Sequence, residues 1–300
     1  MTAVSGAFAC ETARSQRMDV GGVELHWLQW GPPAASGVLL LHGGAAHTHW
    51  FDAVATRLAH GRHVVALDQR GHGESAWARP PSYATEDFAR DIVDLLDRLG
   101  WRSAVLVGHS MGGHNAIACA AWHPDRIRGL VVVDSRPAIP AERLAQMKER
   151  GERPPRRHPT LESAVAAFRL LPPETTADPA LLAHLARAGV AWQDGAVMTR
   201  FDPACYAARV PVDGWPLLAR ITAPALVVRG ELSPILPRPM AERLAAGLGN
   251  ARLVEIPGAY HHLVLDQPGA FAGALGRFLD DLDAQTGGAD AAASARPGAA

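Results

Sequence analysis

The sequence predicts an α/β fold, a mostly parallel sheet with helices on both faces, and three observations carry that prediction. Short apolar runs recur along the 300 residues and alternate with segments of helical periodicity, the pattern of parallel strands joined by helical crossovers. Several runs are continuously apolar, such as Gly37-Val-Leu-Leu-Leu-His42 and His63-Val-Val-Ala-Leu-Asp68, which suits strands buried on both faces. One run, Ser103–Val107, leads through a glycine-flanked serine, Gly108-His-Ser-Met-Gly112, into a helical segment. A tight Gly-x-Ser-x-Gly turn between a strand and a helix belongs to the same architecture.

In chain order, the predicted strands are Val23–Trp30, Gly37–His42, His63–Asp68, Ser103–Val107, Leu130–Asp134, Ala225–Arg229 and Arg252–Ile256. The helical patterns between them cover His49–His60, Glu86–Leu99, Asn115–Trp122, Arg238–Gly247 and Ala270–Leu282. The alternation breaks once, between Ile139 and about Trp215, where no strand-like run is visible. Leu161–Leu171 and Pro179–Val190 read as helices there, with proline-rich and arginine-rich joints. The expected organisation is a core over 17–138 and 216–284, a helical cap or lid over 139–215, and a disordered tail over 285–300. The tail is Gly, Ala, Ser, Asp and Pro, with almost nothing to bury.

Composition narrows the function classes. There are 29 basic and 30 acidic residues, a formal net charge of -1, so no long-range field favours nucleic acid or an anionic membrane. The three cysteines, Cys10, Cys119 and Cys205, are far apart and form no CxxC, which argues against a zinc site or a disulfide framework. Met1 to Val20 is polar and lacks an apolar h-region, and no stretch approaches the roughly 20 apolar residues of a membrane span. A cytoplasmic protein acting on a small molecule is the expectation, without nucleic acid or membrane as partner.

A serine hydroxyl is a poor nucleophile near neutral pH and needs a base within hydrogen-bond reach, itself oriented by an acid. Ser110 is the candidate nucleophile. On sheets of this kind the base comes late in the chain, and Ile256-Pro-Gly-Ala-Tyr-His-His-Leu-Val-Leu-Asp-Gln-Pro268 supplies it after the last predicted strand. His261 is the expected base, with His262 as its rival. The N–H of Met111 and a donor in His42-Gly43-Gly44-Ala45, placed at Gly44, would hold an oxyanion, and each such donor is worth roughly 100- to 1000-fold in rate.

Taken together, the chain resembles the α/β-hydrolase family over about residues 17–284. The matching stretches are Leu41-His-Gly-Gly44 with Trp50, Asp68-Gln-Arg-Gly-His-Gly-Glu-Ser75, Gly108-His-Ser-Met-Gly-Gly113, and Pro257 to Pro268. The resemblance implies a three-layer sandwich with an eight-stranded, mostly parallel sheet, a cap after strand six, and no cofactor or metal. It makes Asp68 and Arg70 structural. The family's acid usually follows strand seven, but here that loop reads Arg229-Gly-Glu-Leu-Ser-Pro-Ile235, with Ser233 and Pro234 in the expected acid positions. Asp134, at the end of strand six, where some members of the fold carry their acid, is the favoured replacement, with Glu231 as rival.

The implied activity is that of a serine hydrolase cleaving a small ester, thioester or amide through an acyl-enzyme. The alternatives are a carbon–carbon bond hydrolase of ring-cleavage products, a cofactor-independent dioxygenase, and a non-catalytic ligand-binding protein on the same scaffold. The candidate substrate contacts are His47, Trp50, Tyr260, His262 and Arg150. Arg150 belongs to a cluster with Lys148, Arg153, Arg156 and Arg157, and a guanidinium can grip a carboxylate as a bidentate fork. His109 reads as a structural polar contact, and His114 as packing beneath the sheet.

Overall fold

The computed structural model describes residues 13–294, with side chains through Gln285. Eight strands form one sheet: β1 (Arg14–Val20), β2 (Val23–Trp30), β3 (Gly37–Leu41), β4 (Val64–Asp68), β5 (Ala104–His109), β6 (Ile127–Val133), β7 (Ala225–Gly230) and β8 (Ala251–Ile256). Their spatial order is β1-β2-β4-β3-β5-β6-β7-β8. Strand β2 runs antiparallel to β1 and β4, and every other pairing is parallel. The eighth strand is β1, whose largely exposed, polar residues give none of the apolar signal that marks the central strands.

Helices α1 (Asp52–Leu58), α2 (Thr85–Arg98) and α3 (Met111–Trp122) lie between the early strands. Between β6 and β7 come α4 (Ala141–Glu152), α5 (Leu161–Ala166), α6 (Pro179–Ala188) and α7 (Ala204–Ala207). After β7 the chain forms α8 (Arg238–Gly247), α9 (Leu263–Asp266) and α10 (Pro268–Ser294). Period-2 side-chain alternation sorts the strands between two cores. Val38 and Leu40 of β3 pack in one core with Val54 and Leu58 of α1 and Phe271 and Leu275 of α10. Leu39 and Leu41 pack in the other with Ile92 and Leu95 of α2, Ile117 of α3 and Leu244 of α8. Each such side chain contributes on the order of 1.5–3 kcal/mol by leaving water.

Three expectations need correction. The segment between β6 and β7 is not purely helical, because Val190–Gln193 and Ala196–Thr199 pair as an antiparallel hairpin. Asp194 and Gly195 make its turn with φ of 47° and 74°, so the local signal was the turn chemistry of an Asp-Gly pair. Helix α5 ends at Ala166, short of Leu171, and the arginine-rich joint before it is itself helix α4. The tail is helical from 285 through Ser294, since alanine is the strongest helix former and Ala289 and Ala291 to Ala293 extend α10. Residues 295–300 of the expected tail lie outside the described residues.

The loop after β4 is built around a buried carboxylate. Asp68 is 1% exposed and accepts from His26 Nδ1 at 2.7 Å, the Thr48 amide at 2.7 Å and the Glu74 amide at 2.9 Å. Arg70 grips Asp91 through Nε and Nη2, both at 2.6 Å, which ties the loop to α2. Burial alone would raise the Asp68 pKa, but the His26 hydrogen bond and the nearby His42 and His26 charges outweigh it and bring it to about 2. A depressed carboxylate stabilises the fold above its unfolded pKa of 3.8, and that contribution disappears as pH falls through about 2. Asp68→Asn should therefore cost roughly 2 kcal/mol at neutral pH, with the difference from the parent shrinking below pH 4. Urea melts at several pH values measure this, and a pH-independent difference would refute the assignment.

Candidate active site

Ser110 sits at the junction of β5 and α3 with φ 53° and ψ −115°, a conformation that L-residues adopt only under constraint. Three glycines make the constraint possible. A Cβ on Gly108 would lie 2.3 Å from the Gly112 carbonyl oxygen, one on Gly112 would lie 2.2 Å from the Leu41 oxygen, and one on Gly113 would lie 2.5 Å from the Ser135 Cβ. The Ser110 amide donates to Val133 O at 3.0 Å, and Ser135 Oγ donates to Ser110 O at 2.6 Å. The turn is thus fastened to the end of β6, with its side chain lining a cavity of about 630 Å³.

His261 and Asp134 complete a line of contacts. Ser110 Oγ donates to His261 Nε2 at 3.1 Å, and His261 Nδ1 donates to Asp134 Oδ2 at 2.6 Å. Asp134 is fully buried. Its Oδ2 also accepts from Ser233 Oγ at 2.5 Å, and its Oδ1 accepts from the Gly230 amide at 3.3 Å. Ser233, which stands where a carboxylate is expected, is therefore a hydrogen-bond donor to the carboxylate one strand over. Glu231 is exposed, and its Oε2 accepts from the Gly258 amide at 2.8 Å, so it braces the turn before His261 and makes no contact with the imidazole.

Burial is the main reason that His261 stays neutral, and repulsion from His262, Arg143 and Arg136 adds to it, holding its pKa well below 6.5. Burial also pushes the Asp134 carboxyl upward, against the Ser233 and Gly230 hydrogen bonds. A neutral imidazole whose Nδ1 is engaged by a carboxylate presents Nε2 as an acceptor, the state a general base requires. His109 Nε2 donates to the His261 carbonyl at 2.9 Å and so fixes its backbone.

Gly44 and Met111 line the same cavity as Ser110 and His261. Among the described residues no acceptor takes the Gly44 N–H, and Met111 opens α3, where the first N–H groups of a helix have no intrahelical partner. A third group stands beside them. The Tyr206 ring packs against Gly44, its hydroxyl 3.0 Å from where a Cβ would be, and it lines the cavity.

Of the expected substrate contacts, the structure places Arg150 on the cavity wall and the others elsewhere. His47 is buried with Nε2 donating to Leu185 O of α6 at 3.1 Å, a tie between the core and the inserted segment. Burial lowers its pKa to about 4. Trp50 belongs to the core and packs on His109 and His262. His262 Nε2 donates to Pro172 O at 2.9 Å, and the Tyr260 amide donates to Asp266 Oδ2 at 2.8 Å. These residues shape the loop carrying His261 without facing the cavity. His114, expected beneath the sheet, does line it, because α3 starts at Met111 and turns that position toward the opening.

Sequence reasoning missed Arg136, Arg143, Arg209 and Tyr206 on the cavity wall. The available signal was Arg143 and Arg150, seven residues apart and hence on one helix face, in a stretch taken for a joint. Among the described residues, two donor groups have a spacing that suits a metal: His109, His261 and His262, and, separately, His49, Asp52 and His184. In the first, both His261 nitrogens already engage Ser110 and Asp134, so an ion there would compete with those contacts. The second joins α1 to α6 through hydrogen bonds from His49 and His184 to Asp52 at 2.9 and 3.0 Å.

Gly112→Ala should destabilise the fold by about 3 kcal/mol, since a backbone carbonyl at 2.2 Å cannot rotate away. Chemical denaturation measures this, and a change under 0.5 kcal/mol, roughly that of an ordinary surface substitution, would mean that the turn is loosely packed.

Comparison with known proteins adds to this geometry. The profile of the alpha/beta hydrolase family matches residues 38–274. The 2-(acetamidomethylene)succinate hydrolase of Mesorhizobium japonicum is 30% identical over 272 residues, covering 89% of this chain and 95% of that protein. The esterase YbfF of Escherichia coli is 29% identical over 255 residues, covering 82% and 94%. Among solved structures, E-2-(acetamidomethylene)succinate hydrolase superposes with a TM-score of 0.79 at 27% identity, covering 90% of this chain and all of that one. No helix among the described residues is long and apolar enough to cross a membrane.

Proposed function

The chain belongs to the alpha/beta hydrolase family, and from that premise we propose that it is a serine hydrolase cleaving a small ester, thioester or amide through an acyl-enzyme. The observation that carries this reading is the continuous hydrogen-bond line from Ser110 through His261 to Asp134. Relatives named as hydrolases and as an esterase place hydrolysis as the reaction class. The inserted segment 139–215 acts as a cap that supplies part of the substrate wall. A cavity of about 630 Å³ suits a small molecule.

In this mechanism His261 Nε2 takes the Ser110 proton as Oγ attacks the substrate carbonyl. The Gly44 and Met111 N–H groups receive the oxyanion, and the N-terminal end of α3 adds its dipole. The resulting imidazolium is stabilised by Asp134 and passes its proton to the leaving group. Water, deprotonated by His261, then attacks the acyl-enzyme and releases the acid. Asp134 holds the imidazole in the tautomer that carries its proton on Nδ1.

Asp134→Asn should lower kcat by about 10⁴-fold, as expected when the imidazole loses its tautomer partner, while Glu231→Gln stays within about threefold of the parent. Steady-state kinetics on short p-nitrophenyl esters measure both, and a large loss confined to Glu231→Gln would move the acid to β7. The neutral form of His261 is the active one and its pKa lies below 6.5. The kcat/KM profile should therefore stay flat through neutral pH and fall only on the acid side of 6.5. An acid limb centred above 6.5 would contradict the buried, repelled imidazole.

A further inference from the structure

Five arginines line the cavity that holds Ser110: Arg136, Arg143, Arg150, Arg153 and Arg209. Of these, only Arg153 has a carboxylate partner among the described residues, Glu149 at 2.5 Å, which also lines the wall. Elsewhere the protein pairs its arginines with acids repeatedly, as at Arg70–Asp91, Arg126–Asp97 and Arg252–Asp281. Arg143 and Arg150 project from one face of α4, two turns apart, and that face forms the wall. Arg136 is anchored on the Ile235 and Pro234 carbonyls, which orients its guanidinium without neutralising it. Arg209 is 6% exposed, bonds Asn115 Oδ1 at 2.8 Å, and keeps a buried Nε with no partner. Burying a guanidinium without a counter-ion is costly, and Arg209 forms part of the cavity wall.

Resting on the serine-hydrolase reading above, we propose that the substrate is a carboxylate-bearing acyl compound, its anionic group held by Arg143 together with Arg136 and Arg150. Arg143 is the central residue because it lines the same cavity as Ser110 and His261 and as Tyr206 beside Gly44. With Arg136 it repels a proton from His261, and with Arg150 it acts on the Tyr206 hydroxyl beside Gly44. A carboxylate there lies within a few bonds of the scissile carbonyl. The phosphates of a coenzyme A thioester sit at the far end of the pantetheine arm, too distant for guanidinium groups that share one cavity wall with Ser110 and His261. A guanidinium fork binds carboxylate and phosphate alike, so it is the short reach from the cavity wall to Ser110 that favours a carboxylate.

The test compares monoethyl esters of succinic, glutaric and adipic acids with the ethyl esters of uncharged acids of matching length. It uses the full-length parent, Arg143→Gln, and Arg156→Gln as a control from the same segment whose side chain is not on the cavity wall. The expected result is at least a tenfold preference in kcat/KM for one of the anionic esters, as for one hydrogen-bonded ion pair. That preference should fall at least tenfold in Arg143→Gln and persist in Arg156→Gln. In Arg143→Gln the acid limb of the pH profile should also move up toward 6.5, which a merely structural defect would not produce.

Equal or faster turnover of the uncharged esters would overturn the inference and leave the serine-hydrolase reading intact. Butyryl-coenzyme A turned over faster than every monoester, with that advantage lost in Arg143→Gln, would assign the arginines to phosphate and overturn it too. Turnover of no ester or thioester by the parent would remove the serine-hydrolase reading itself, and this inference with it.

Discussion

At Gly112 an added Cβ would stand 2.2 Å from the Leu41 carbonyl oxygen, and that close approach of helix to strand is what the site is built on. It seats α3 directly against the end of β3, so the chain must leave β5 through a turn only one residue wide. Ser110 takes the strain of that turn at φ 53°, and its amide is satisfied by Val133 of β6. The strained residue is thereby tied to the strand whose next residue is Asp134. One steric constraint thus brings together Ser110, the opening of α3 and the end of β6, where Asp134 follows.

The acid's position follows from the sheet. Strands β6 and β7 are parallel neighbours, with Val133 opposite Val228, and the Asp134 amide bonds Val228 O at 2.7 Å. A carboxylate at the end of either strand therefore reaches the same side of His261. In this chain β6 carries it and β7 answers with a hydroxyl, Ser233, and an amide, Gly230, both donating to Asp134. The buried carboxylate is thus satisfied by the hydroxyl and the amide as well as by His261. Glu231 is left free to pin the Gly258 turn, which in turn presents His261.

The central strands, the serine turn and the late histidine were legible because each rests on local chemistry: continuous apolar runs, glycines that admit close backbone approach, and a polar residue between strand and helix. Strand β1 was not, because an edge strand with one neighbour and exposed side chains shows no hydrophobic period. The sequence left Asp134 and Glu231 as rivals because both follow strands, and which of them contacts His261 depends on the packing of β6 on β7. Helix α4 was hidden by its polarity, since it buries no residue fully, and the hairpin at Val190–Thr199 by the shortness of its four-residue strands. His47, Trp50 and His262 stood close to the site in sequence yet turned inward, into packing and hydrogen bonds that hold α6 and the His261 loop, while Tyr260 holds that loop through its backbone amide. The cavity's arginines come from three separate stretches, and their convergence is a property of topology that linear spacing does not carry.

The central claim, that Ser110 is a nucleophile activated by His261, is tested most directly by mass spectrometry of the folded protein after exposure to a fluorophosphonate. The account predicts one stoichiometric adduct mapping to Ser110, absent in Ser110→Ala and slowed by orders of magnitude in His261→Ala. No adduct on the folded protein, or labelling that proceeds equally well without His261, would contradict it.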